Sequence, residues 1–197
     1  MGNKVDTCPS GKTPPPQDEE VANSTFEVII AGDITGKSCI LDRFCTGTYD
    51  PAGGCTAGYG VGYKKMFVDN EEIKLLIYDS RHIEMFYRIF QRAYGERSPN
   101  GIILVYDITR EITFSNLRTT WMERMQHDFG LDVPIIVVGN KCDLESERTV
   151  KQSEVEEFCD DVPQIICAAL SSAKTNKNID FIFTHLAIEM KRRRRAV

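Results

Sequence analysis

The sequence predicts an α/β domain: a six-stranded, mostly parallel sheet with one antiparallel strand and about five flanking helices. Three observations carry that expectation. From Phe26 onward, apolar runs rich in Val and Ile alternate with stretches of helical periodicity. Successive runs are far enough apart for a crossover helix, except 63–68 and 73–78, which only a hairpin can join. The first run leads into Ala31-Gly32-Asp33-Ile34-Thr35-Gly36-Lys37-Ser38, a small-residue loop opening a helical pattern.

Taken in order, residues 1–24 hold Pro14-Pro15-Pro16 and many charges, with little to bury, and read as a disordered N-terminal arm. Ser10-Gly11-Lys12-Thr13 mimics a phosphate loop there, but no strand precedes it and prolines follow where a helix would start. Met1-Gly2 invites N-acylation, yet Asp6 stands where that signal has Ser or Thr. The folded domain spans 25–190, and 191–197 read as a basic tail or linker. Strands are expected at 26–31, 63–68, 73–78, 101–106, 134–139 and 164–168, and helices near 37–45, 84–95, 111–128, 151–160 and 177–191. Phe114, Leu117, Trp121 and Met125 fall on one helical stripe, and Ile179, Ile182, Phe183, Leu186 and Met190 on another, so both stripes are expected in the core.

Composition narrows the function classes. The net charge is −5, and five of the 24 basic residues lie in Lys191–Arg195, so the body is more acidic still and no nucleic-acid partner is expected. Seven cysteines lack paired metal-ligand spacing and sit mostly in apolar patterns, as reduced thiols do. With no run of 18 apolar residues and no apolar core of a signal peptide, the chain is expected in the cytoplasm, at most peripheral on endomembranes.

The loop at 31–38 lacks the first glycine of G-x-x-x-x-G-K-[ST], where Ala31 stands, but keeps Gly36, Lys37 and Ser38. Backbone N–H groups at a helix start attract phosphate oxygens, Lys37 reaches terminal phosphates, and the Ser38 hydroxyl can ligate Mg²⁺. Beyond the apolar run Ile135–Val138 comes Asn140-Lys141-Cys142-Asp143, and after the last strand Ser172-Ala173-Lys174. Strand ends of open α/β sheets face one crevice, which gathers these segments.

In that order and spacing, the motifs resemble the Ras superfamily of small GTPases, most closely its Rab branch, over about residues 26–190. The resemblance implies a P-loop NTPase G domain with GTP or GDP and Mg²⁺ as ligands. It implies nucleotide contacts from Asp33, Ile34, Thr35, Gly36, Lys37, Ser38, Cys39, Asn140, Lys141, Asp143, Leu144, Ser172, Ala173 and Lys174. Asp143 would accept from the guanine N1–H and amine, a donor pair adenine lacks. Ser38, Thr56 and Asp79 would form the metal site, Thr56 only when the γ-phosphate is present and Asp79 through water.

The family's W-D-T-A-G-Q-E is replaced by Tyr78-Asp79-Ser80-Arg81-His82-Ile83-Glu84. Ile83 stands at the glutamine that orients the attacking water, and an alkyl group can neither donate nor accept. His82 replaces a glycine and is the weak remaining candidate for a water-orienting base. Asp33 and Ile34 stand where small residues line the γ-phosphate, and Asp33 is expected to bring a negative charge towards it. Binding should survive and turnover should be very slow. The resemblance further implies a regulatory switch in vesicle trafficking, meeting effectors and exchange factors through 46–62 and 80–97, with Val61, Tyr78 and Tyr94 at the branch's aromatic contact positions. The basic tail offers at most weak membrane contact, since no cysteine follows Cys167. The competing reading is a pseudo-GTPase interaction module that holds GDP, or nothing, without switching.

Overall fold

A computed structural model of the chain describes residues 25–51, 60–80, 99–130 and 132–195. The expected helix at 84–95 and the arm at 1–24 lie outside the described residues. Six strands form one sheet: β1 (Thr25–Ala31), β2 (Val61–Val68), β3 (Glu71–Asp79), β4 (Gly101–Asp107), β5 (Ile135–Asn140) and β6 (Ile165–Leu170). Their spatial order is β2-β3-β1-β4-β5-β6. Only the β2–β3 pair is antiparallel, closed by Asp69 and Asn70 at φ 50° and 63°, the left-handed pair that matches strand twist in a two-residue turn.

Five α-helices occur among the described residues: α1 (Lys37–Thr46), α2 (Glu111–Asn116), α3 (Met122–Phe129), α4 (Gln152–Asp161) and α5 (Ile179–Arg195). The central strands β4 and β5 are buried along their whole length because helices cover both faces, which explains why they read as unbroken apolar runs. On one face, Ile40, Leu41 and Phe44 of α1 meet Ile182, Phe183 and Leu186 of α5, with the Phe44 and Phe183 rings stacked 3.8 Å apart. On the other, Phe114, Leu117, Met122, Met125 and Val155 cover Ile29, Ile102, Leu104 and Tyr106. Each such side chain contributes about 1.5–3 kcal/mol by leaving water.

Two expectations change. The periodic stretch at 111–128 is not one α-helix, because a π turn at Leu117–Trp121 separates α2 from α3. The Met122 N–H donates to the Leu117 carbonyl, five residues back, so one residue is inserted and the inward position passes from Trp121 to Met122. Trp121 is therefore half-buried at the edge of the core rather than within it. The basic cluster is no free extension either, since α5 continues through Arg195. Lys191 is buried, donates to the Val68 carbonyl at 2.6 Å, and lies 3.0 Å from Glu71 and 3.6 Å from Asp69. Arg195 reaches Glu71 at 2.8 Å, and Arg192 and Arg193 both hold Glu189. Their guanidiniums, Arg192's first, pull the Glu189 carboxyl down to about 2 although partial burial opposes them.

Lys191 thus clips the β2–β3 turn to α5. Lys191→Met, which keeps the stem and removes the donor, is expected to cost about 1–3 kcal/mol by urea unfolding. Arg192→Ala, removing an exposed pair three residues apart, should cost about 0.5 kcal/mol or less.

Candidate nucleotide site

The carboxyl ends of β1, β3, β5 and β6 bring the expected segments to one edge of the sheet. Ala31 is the last residue of β1 and fully buried, so the demand for glycine falls on Gly32. Gly32 has φ 140°, and a Cβ there would lie 2.1 Å from the Val105 carbonyl oxygen. Gly36 caps α1 at φ 86°, and its Cβ would sit 2.8 Å from the Asn140 amide nitrogen. No acidic residue occupies the first turn of α1, which leaves the positive end of the helix uncompensated for an anion. The Lys37 ammonium curls back over the loop and donates to the carbonyls of Gly32 and Asp33 at 2.6 and 2.5 Å.

The Ser38 hydroxyl donates to the Asp79 carboxylate at 2.5 Å, and both side chains are buried. A hydroxyl beside a carboxylate next to a phosphate loop is a hard-oxygen donor set, which suits Mg²⁺ held by few protein groups. No group of three or more His, Cys, Asp or Glu able to hold a metal occurs among the described residues, and the five described cysteines are free thiols. Thr56, His82 and Ile83 lie outside the described residues, as does Tyr94.

One amide ties the loops after β5 and β6 to the loop after β1. Asn140 donates to the Thr35 carbonyl at 2.8 Å and accepts from the Ser171 hydroxyl at 3.3 Å, all three residues being buried. The Ser172 hydroxyl donates to one Asp143 oxygen at 2.6 Å, and the Lys174 ammonium stands 4.0 Å from the other. Lys141 adopts φ 66° and pairs with the fully buried Asp107 at 2.6 Å. Burial opposes the charge of Asp107, yet Lys141 with the N–H and hydroxyl of Thr109 holds its carboxyl below the ordinary 3.8. Arg43 of α1 donates to the Ala173 and Lys174 carbonyls at 2.8 and 3.2 Å and fastens the last loop. Cys39 and Leu144 border the site half-buried, and burial pushes the neighbouring Cys142 thiol up.

One expectation is corrected outright. Asp33 does not aim its charge at the phosphate position: its carboxylate accepts from the Asn116 amide at 2.7 Å and the Trp121 indole N–H at 3.0 Å. Only its backbone remains part of the loop. Ile34 is 85% exposed, with the Arg110 guanidinium 3.4 Å from its carbonyl. Val61 is exposed as a contact surface requires, whereas Tyr78 is buried. Sequence reasoning missed Arg43, Asp107, Arg110, Asn116, Trp121 and Ser171. Asp107-Ile108-Thr109 after an apolar strand is a recognisable Asx turn, but the others carry no local signal.

Comparison with protein-family models matches the chain to the Ras family over residues 27–192. The Asp107–Lys141 pair gives a pH signature. A depressed carboxyl stabilises fully above its unfolded value and loses that contribution as pH falls through the lower folded one. Asp107→Asn should therefore lower stability at pH 7 by about 1–3 kcal/mol and flatten the acid limb, with a smaller fall in urea midpoint than wild type as pH is lowered past the ordinary carboxylate range.

Proposed function

The chain belongs to the Ras family of GTP-binding small GTPases, and on that premise we propose that it is a Rab-like switch of vesicle trafficking whose own GTP hydrolysis is very slow. The observation that carries the nucleotide reading is the joined pair of loops, Asn140 bridging to Thr35 and Ser172 orienting Asp143. A carboxylate already fixed by a hydroxyl keeps one geometry for the two N–H donors of guanine, so little ordering remains to be done on binding. Lys37 and the bare N-terminus of α1 receive the phosphates. Ser38 and Asp79 would hold Mg²⁺, which when bound supplies neutralisation of phosphate charge.

Slow turnover rests on residue chemistry. Ile83 offers nothing to hold an attacking water, and the Lys37 ammonium and the Ser38 hydroxyl are engaged by the loop carbonyls and by Asp79. Regulation would then depend on exchange factors and effectors that meet residues 46–62 and 80–97, beside the exposed Val61, Tyr63 and Phe67 of β2. Membrane contact would be weak, because Lys191, Arg192, Arg193 and Arg195 are already paired with carboxylates.

Two measurements test the reading. Asp143→Asn presents an amide N–H where guanine needs an acceptor, while xanthine offers a carbonyl there. Its GDP affinity should fall at least about a hundredfold by calorimetry, with xanthosine diphosphate binding gained. Ile83→Gln should raise single-turnover GTP hydrolysis at least about tenfold. No gain would favour the pseudo-GTPase reading, a protein that holds nucleotide without a cycle.

A further inference from the structure

The Asp33 carboxylate carries an arrangement that the nucleotide reading leaves unused. Each of its two oxygens receives one N–H, Oδ2 from the Asn116 amide and Oδ1 from the Trp121 indole, although these residues lie 83 and 88 positions away. The donors come from the last residue of α2 and the last residue of the π turn, and the inserted residue of that turn moves Trp121 off the core stripe to where its N–H meets the loop. Arg110, at the start of α2, adds a third contact from the same segment, to the Ile34 carbonyl. Two successive phosphate-loop residues are therefore held by the chain that follows β4.

We propose that Asp33, Asn116 and Trp121 form a latch that sets the preference between nucleoside di- and triphosphate. The inference rests on the guanine-nucleotide reading above. Closed, the latch keeps the Asp33 carboxylate turned to the helix and its charge away from the terminal-phosphate side of the loop. Opened, the same carboxylate can swing towards that side, where repulsion penalises a third phosphate and barely touches a second. Asn116 and Trp121 are positioning residues, acting through Asp33. A segment that moves α2 thereby changes nucleotide preference without touching the nucleotide.

Trp121 is the chain's single tryptophan, which gives the latch its own signal. In nucleotide-free protein, Asp33→Ala should shift Trp121 emission because the indole loses a charged acceptor; an unchanged spectrum would overturn the closed latch. The double variant Asn116→Ala/Trp121→Phe should bind a non-hydrolysable GTP analogue on the order of tenfold more weakly, with GDP affinity changed less than about twofold. Adding Asp33→Asn to that variant should restore the analogue to within about twofold of wild type, since the charge is gone. Equal weakening of both nucleotides, or a loss that persists with Asp33→Asn, would overturn the latch and mark a merely structural role. Wild-type protein that binds neither nucleotide would overturn the nucleotide reading itself. Normal binding with an unresponsive double variant would overturn the latch alone.

Discussion

The geometry of the site depends on one buried amide. Asn140 leaves β5 with both ends of its side chain in use, one on the Thr35 carbonyl and one on the Ser171 hydroxyl, and so ties loops from β1, β5 and β6 together. Each bond adds only about 1 kcal/mol net, but a buried partner left without it costs about 1–3 kcal/mol, so the loops hold one another in place more firmly than the bonds alone suggest. The link is possible only because Gly36 has no Cβ: a methyl there would press on the same amide nitrogen at 2.8 Å. The loop after β1 and the loops after β5 and β6 therefore share one atom-scale constraint, and the parallel register of β1, β4, β5 and β6 delivers all of them to it.

Much of this was legible in the sequence, for reasons tied to particular residues. Strand runs such as Ile102–Tyr106 and Ile135–Val138 are apolar because both faces are covered, and the motifs around Lys37, Asn140 and Ser172 have fixed offsets from strand ends. What escaped was contact between distant segments. The Asp33 carboxylate looks like a charge facing phosphate until its partners from 83 and 88 residues away are known. A π turn has no compositional signature, so Trp121 counted as core when Met122 takes the inward place. The run of basic residues at 191–195 suggested a tail for the same reason: nothing local shows that Asp69 and Glu71 wait to pair with Lys191 and Arg195.

Charge placement divides the molecule into two zones. Around the site, the positive end of α1 and Lys37 create an anion-accepting corner, while Asp33 is held by two neutral N–H donors and Asp107 is paired with the Lys141 ammonium. At the far end of α5, Lys191 is turned inward onto the hairpin, while Arg192, Arg193 and Arg195 pair with Glu189 and Glu71 at the surface. The net charge of −5 thus includes a cationic run whose charges are largely matched by carboxylates of the same surface.

The buried Lys191 also limits how the sheet can move. Its ammonium grips the Val68 carbonyl at the point where the β2–β3 turn begins. Sliding the hairpin along β1 by two residues would carry that carbonyl roughly 6–7 Å away. The buried ammonium would then lose that acceptor. The ladder from Thr25–Lys74 to Ile30–Asp79 is in this way pinned at the end remote from Asp79. The strand that ends in Asp79 is thus a rail held fast at its opposite end, by a side chain that belongs to the last helix.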